Sequence, residues 1–167
     1  MTDITFREPL VDDADSIWNL IKNNKPLDEN SKYLYILLCH EFSNTCVLAE
    51  STSKIVGFAS TFVSPKNPDT LFVWQVAVDK NYRNKGIAQD LVSQSLRRVG
   101  PSIRYVHATV TPSNTASLKF LQNFAKELNA PLSTSYLFTK SVLGKDHEQE
   151  DLVRIGPIPK QVKEVIA

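Results

Sequence analysis

Between Thr70 and Leu96 the spacing of apolar residues changes abruptly, and that change restricts the fold more than any other stretch of the chain. Residues 70–78 form a run of β-branched and aromatic side chains that reads as a strand. Beyond a polar turn, Ile87, Leu91, Val92 and Leu96 recur at helical spacing, with Arg97 and Arg98 at the C-terminal end and Gly100-Pro101 as the stop. A strand that feeds a helix calls for a sheet with that helix packed on it. Two more strand-like runs precede it, residues 46–49 and 54–63, joined by polar or Pro-containing turns, so an antiparallel meander is expected.

The flanks complete the pattern. A short strand around Thr5-Phe6-Arg7 ends at Pro9, and Asp12 and Asp13 stand where the cap of a first helix belongs, with Ala14, Ile17, Trp18 and Ile21 on its apolar face. A second helix begins near Asn30 or Ser31, and its continuous apolar run from Tyr33 to Phe42 predicts burial or a pocket lining. Residues 103–110 read as a strand, Asn114 opens a helix through Leu118, Leu121, Phe124, Ala125 and Leu128, and residues 136–139 and 152–155 are the last strands around a polar loop at 144–150. The order β-α-α-β-β-β-α-β-α-β-β predicts one mixed α/β (α+β) domain over residues 1–167. The tail from Pro157 onward either crosses an interface or is loose.

With 167 residues, 42% of them apolar, one compact domain with a sizeable core is the expectation. Nineteen Lys and Arg against eighteen Asp and Glu leave a net charge of +1, unlike a dedicated nucleic-acid binder. No apolar run approaches the roughly 20 residues of a membrane helix, and the N-terminus lacks the basic-then-apolar pattern of a secretory signal. Two cysteines, Cys39 and Cys46, without a Cys-x-x-Cys or His-rich run, suggest reduced thiols in the cytoplasm and no structural metal.

Chemistry concentrates in Val73-Trp74-Gln75-Val76-Ala77-Val78-Asp79 and Arg83-Asn84-Lys85-Gly86-Ile87-Ala88, a strand, a turn and a helix start. Small residues in the first helical turn let a ligand approach, and main-chain N–H groups with the helix dipole suit a pyrophosphate, with Arg83 and Lys85 adding positive charge. The spacing fits neither a Walker A loop nor a Rossmann turn. On composition alone, an ordinary helix start with small residues for close packing is an equal alternative.

Strand, Arg83-x-x-Gly86-x-Ala88, helix, strand and Asn114-bearing helix together resemble the GNAT superfamily of acetyl-CoA-dependent N-acetyltransferases. The resemblance implies a central, mixed, mostly antiparallel twisted sheet of six to seven strands flanked by four helices. It also implies that main-chain amides of Arg83, Asn84, Lys85, Gly86, Ile87 and Ala88 hold the coenzyme pyrophosphate, that Val76, Ala77 and Val78 pair with pantetheine, and that Asn114 reaches the same arm. Four blocks resemble a narrower family, the L-2,4-diaminobutyrate acetyltransferases of ectoine biosynthesis: Leu27-Asp28-Glu29-Asn30-Ser31-Lys32-Tyr33-Leu34-Tyr35, residues 69–78, Thr109-Val110-Thr111-Pro112-Ser113-Asn114, and His147-Glu148-x-Glu150. That likeness implies acetyl transfer from acetyl-CoA to the γ-amine of L-2,4-diaminobutyrate in a ternary complex, in a homodimer. The loop ends in Ala88 where many relatives carry glycine, and Leu121 stands where many GNAT enzymes have a tyrosine acid.

An acceptor ammonium must lose a proton before it attacks a thioester. Asp28, Tyr33, Trp74, His147 and Glu150 are the candidate acceptor residues, with His147 or Glu150 as base through water, Tyr33 as a hydroxyl, and a main-chain N–H near Ala77 for the oxyanion. Each has a plainer alternative: Asp28 and Asn114 as helix caps, Trp74 and Tyr33 as core aromatics, and His147 with Glu150 as a solvated loop. Acetylation of another diamine and a non-catalytic coenzyme A sensor are the competing functions.

Overall fold

The computed structural model describes residues 3–144 and 146–160. Lys145 of the expected polar loop and the tail beyond Lys160 lie outside them. Seven strands carry the sheet: β1 (Thr5–Arg7), β2 (Val47–Ser51), β3 (Lys54–Val63), β4 (Thr70–Val78), β5 (Tyr105–Val110), β6 (Leu132–Phe138) and β7 (Glu150–Ile155). They hydrogen-bond in the order β1-β2-β3-β4-β5-β7-β6. Pairings β1/β2, β2/β3, β5/β7 and β6/β7 are antiparallel, whereas β4/β5 is parallel, from Thr70↔Tyr105 to Val73↔Ala108. The expected mixed, mostly antiparallel sheet is therefore present. The helices are α1 (Ala14–Lys22), α2 (Lys32–Glu41), α3 (Ile87–Val99), α4 (Thr115–Glu127) and a single turn, α5 (Lys140–Leu143), that sequence periodicity does not announce.

By chain packing the residues divide into two compact units, residues 1–62 with 74–99, and residues 63–73 with 100–167; β4 contributes Thr70–Val73 to one and Trp74–Val78 to the other. In the first unit, Ile17, Ile21, Tyr35, Leu38, Leu48 and Phe58 form one core cluster, and Val47, Ala49, Val56, Ala59, Ile87 and Leu91 form another. Adjacent residues of β2 thus supply opposite clusters, as the two-residue period of a strand requires. Gly57 sets how closely α3 approaches: a Cβ built there would lie 3.1 Å from Leu91 Cδ1 and 3.2 Å from both Ala49 Cβ and Ile87 Cγ2. In the second unit Val106, Ala108 and Val110 of β5 and Val153 and Ile155 of β7 are buried with Leu121, Phe124 and Ala125 of α4.

Two sequence expectations need correction. Asp13 does not cap α1 with its side chain; its carboxylate accepts from Arg7 at 2.7 and 2.9 Å and from the Leu10 N–H at 2.7 Å, so it ties the end of β1 to the turn before the helix. The strand expected at 136–139 runs instead over Leu132–Phe138, where Ser133, Thr134 and Ser135 hide the apolar alternation by which a strand is recognised. Of the run 33–42, expected to be buried or to line a pocket, Tyr35, Leu38 and Cys39 are buried and Tyr33 is 69% exposed.

Candidate functional site

In the first unit the candidate coenzyme loop joins β4 to α3 through a short 3-10 turn, Lys80–Tyr82, capped by the Asp79 carboxylate on the Asn81 N–H at 2.9 Å. Two residues adopt left-handed backbone in succession around Lys85, Asn84 at φ 61° and Gly86 at φ 81°. Gly86 is not demanded by packing, since a Cβ there would meet only Asp90 Oδ2, at 4.0 Å; it is demanded by the dihedral. Arg83, Asn84, Lys85 and Gly86 are exposed, Ile87 is buried, and α3 starts at Ile87 with first-turn N–H groups that have no partner within the helix. This combination fits the diphosphate of a nucleotide coenzyme. The side-chain charges are arranged more locally than the sequence suggested. Arg83 donates to the Val78 carbonyl at 3.2 Å and to Asn24 Oδ1 at 2.8 Å, and the Lys85 ammonium sits 4.9 Å from the Tyr82 ring centre. The main chain is what the loop presents.

On β4, Trp74 is 39% exposed, Ala77 is buried, and Val76 and Val78 are half-buried. Trp74 is therefore no plain core aromatic, and neither is Tyr33 on α2. Asp28 lies in the irregular stretch between α1 and α2, exposed, and its carboxylate has no hydrogen-bond or ion-pair partner among the described residues. It does not cap α2, whose N-cap is Ser31.

Sequence reasoning missed the residue beneath Asp28. Gln75, 5% exposed, donates from Nε2 to the Asp28 carbonyl at 3.0 Å, while its Oε1 accepts from the Tyr35 hydroxyl at 3.1 Å. Its backbone N–H donates to Ser60 Oγ at 3.0 Å. Burial pushes the Tyr35 hydroxyl above the ordinary phenol range. Two of the four sequence blocks, 27–35 and 69–78, are thus tied together by side-chain bonds. The only hint was a glutamine in an otherwise apolar strand.

In the second unit the other two blocks meet as well. Asn114 is the N-cap of α4, its side chain accepting from the Ser117 N–H at 3.1 Å. One residue earlier, the Ser113 N–H donates to Glu148 Oε2 at 3.2 Å, and hydrogen bonding from Ser113, its side chain first and its main chain second, holds the Glu148 carboxyl below its ordinary range. Glu148 is thereby fastened to the turn before α4. His147 beside it is exposed, its N–H donating to the Gly144 carbonyl at 3.1 Å, and Glu150 opens β7 opposite Phe138. Leu121, at the position of the missing tyrosine, is 3% exposed in the apolar face of α4.

Cys39 and Cys46 are free and buried, with thiols pushed up to about 12 and about 11 by burial. Among the described residues no cluster of His, Cys, Asp and Glu is arranged to hold a metal ion, and no helix is long and apolar enough to cross a membrane.

The chain matches the Acetyltransferase (GNAT) family over residues 11–125. It is 42% identical to an L-2,4-diaminobutyric acid acetyltransferase from Halalkalibacterium halodurans, over 94% of this chain and 84% of the relative. A second such enzyme, from Marinococcus halophilus, is also 42% identical, over 94% of this chain and 92% of the relative. Among solved structures, the diaminobutyrate acetyltransferase from Paenibacillus lautus in complex with its substrate L-2,4-diaminobutyric acid and coenzyme A superposes with a TM-score of 0.89 at 38% identity, covering 95% of this chain and 98% of that one.

Proposed function

We propose the following function for this chain, which belongs to the acetyltransferase (GNAT) family and, within it, to the L-2,4-diaminobutyric acid acetyltransferases. It transfers the acetyl group of acetyl-CoA to the γ-amine of L-2,4-diaminobutyrate, giving N4-acetyl-L-2,4-diaminobutyrate and coenzyme A, a step of ectoine biosynthesis. The observation that carries the acceptor is likeness along nearly the whole length to the Paenibacillus lautus enzyme, whose substrate that amino acid is.

Acetyl-CoA supplies the activated thioester. Main-chain N–H groups of Arg83, Asn84, Lys85, Gly86, Ile87 and Ala88 hold its diphosphate, while Val76, Ala77 and Val78 on β4, together with Asn114, take the pantetheine arm. Asp28 receives the α-ammonium of the acceptor, and Trp74 and Tyr33 wall it. His147 or Glu150 drains a proton through water, freeing the γ-nitrogen to attack the carbonyl. A main-chain N–H at Ala77 meets the oxyanion; the new N–C bond forms, the C–S bond breaks as the carbonyl re-forms, the thiolate leaves, and the second proton of the nitrogen passes to water or to the departing thiolate. A thiolate is a competent leaving group by itself, so a leucine at position 121 is compatible with turnover.

Residues 1–167 act as one acetyltransferase domain, a reading supported by a family match that runs through residues of both units. The enzyme is a homodimer, supported by an edge strand, β6, that leaves Tyr136, Leu137 and Phe138 57%, 40% and 43% exposed. It works in the cytoplasm, where Cys39 and Cys46 stay reduced. Light scattering reports the dimer. The function is tested by thiol release from acetyl-CoA with diaminobutyrate, ornithine, lysine and spermidine in parallel, and mass spectrometry locating the acetyl group. Preference for diaminobutyrate with a γ-acetyl product supports the reading; turnover of another amine overturns the acceptor, and coenzyme binding without turnover of any amine overturns catalysis.

A further inference from the structure

Gln75 stands on β4 between Val73 and Ala77, at 4% and 1% exposure, where an aliphatic side chain would pack without any polar group to satisfy. Both ends of its amide are nevertheless hydrogen-bonded. A carbonyl only accepts, so the Asp28 oxygen requires Nε2 to face it; that turns Oε1 toward Tyr35, whose hydroxyl then donates. The Ser60 hydroxyl, 1% exposed, accepts from the Gln75 N–H and fixes the backbone of the strand at that point. Asp28 itself has no such support for its carboxylate. Around it, the Trp18 Nε1–H donates to the Asn30 carbonyl at 3.1 Å, and Glu29 meets Lys22 at 3.7 Å in an exposed pair of little worth. The place of the Asp28 carboxylate is therefore dictated by its main chain, and the main chain at that residue is held from below by Gln75.

We propose that Gln75, oriented by Tyr35, is a positioning residue for the acceptor: it holds the Asp28 main chain so that the carboxylate meets the α-ammonium of diaminobutyrate. This rests on the reading of Asp28 as an acceptor contact.

Gln75→Met keeps the volume and removes both hydrogen bonds. The expected result is a rise in KM for diaminobutyrate of about tenfold, the scale of one lost part-buried hydrogen bond, since the Asp28 carbonyl then keeps only the longer bond from Asn30 Nδ2 at 3.4 Å. The KM for acetyl-CoA should stay within about twofold, because the pin touches no part of the coenzyme loop. Gln75→Glu adds a readout that loss of packing cannot imitate. Its carboxyl is buried and faces the charges of Asp28 and Glu29 from the stretch before α2, which favour the protonated form, against the Tyr35 hydroxyl, whose donated bond favours the carboxylate. Protonated, it donates to the Asp28 carbonyl as the amide does. The ratio of variant to wild-type KM for diaminobutyrate should therefore fall toward one as the pH is lowered, acceptor titration cancelling in the ratio. Circular dichroism checks that each variant is folded, and Tyr35→Phe, which leaves the fold its ring, should move the same KM in the same direction by less. Asp28→Asn separates the two layers of the argument. If it raises KM for diaminobutyrate while Gln75→Met and Gln75→Glu leave KM unchanged or shift both substrates alike, the pin is overturned alone. If Asp28→Asn leaves that KM unchanged, the reading of Asp28 fails and the proposal with it.

Discussion

Replacing Gly86 by alanine isolates one physical contribution of the coenzyme loop. At φ 81° an L-residue places Cβ against its own carbonyl, a cost of about 1–2 kcal/mol. No clash adds to this, because the nearest atom to such a Cβ is Asp90 Oδ2 at 4.0 Å. For a chain of this size, each kcal/mol moves Tm by about 2–4 °C, so Gly86→Ala should melt about 2–8 °C below the wild type. The second effect is on binding: a methyl on the surface the loop presents to a diphosphate obstructs close main-chain approach. KM for acetyl-CoA should rise by about an order of magnitude with KM for diaminobutyrate nearly constant, on the scale of a lost charge-assisted hydrogen bond. Differential scanning fluorimetry and initial-rate thiol release read the two effects separately. Asn84→Gly is the control, since asparagine already tolerates φ 61° and glycine relieves it; its Tm should hold within about 2 °C. An unchanged Tm for Gly86→Ala would mean that the loop readjusts without cost. A KM change confined to diaminobutyrate would refute the assignment of the loop to the coenzyme.

Gly57→Val should destabilise by about 1–3 kcal/mol, because Cβ contacts of 3.1–3.2 Å to Leu91, Ala49 and Ile87 leave no room for more atoms; an unaltered urea midpoint would show that α3 can slide. Asp13 is held below the usual carboxylate range, first by its hydrogen bonds from Arg7, so its contribution is present above about pH 4 and is lost as pH falls through the lowered value. Asp13→Asn should cost about 1–2 kcal/mol at pH 7, a figure discounted for an Arg7 side chain 36% exposed, and should lose less than the wild type between pH 5 and 3; parallel acid limbs would sink the argument. Buried thiols pushed up to about 12 and about 11 should react with a disulfide reagent at pH 8 only after unfolding, and rapid labelling of the native enzyme would contradict the burial of Cys39 and Cys46.

The parts of the fold readable from sequence are those whose apolar period is uninterrupted. β4 and α3 fall where Thr70–Val78 and Ile87–Leu96 place them, since each buries a continuous face. β6 does not, because its Ser133, Thr134 and Ser135 leave no alternation to read, and its place outside β7 depends on pairing between distant segments that no local pattern encodes. The candidate site divides along a similar physical line. Exposed groups with chemistry of their own, Asp28, Trp74 and His147, stand out as residue types in a pattern. Gln75, Tyr35 and Glu148 do not, although they do the fastening, because two of their key partners are main-chain atoms: the Asp28 carbonyl and the Ser113 N–H. Every residue except proline offers both such groups, so a bond to one leaves no signature in the partner's identity. What remains visible is the cost on the anchor's side: a polar side chain in a strand interior, as at Gln75, where packing alone would select an aliphatic one. A buried polar residue one position from a candidate contact on the same strand is therefore the signal by which such an anchor can be sought in a sequence, and Gln75 beside Trp74 satisfies it.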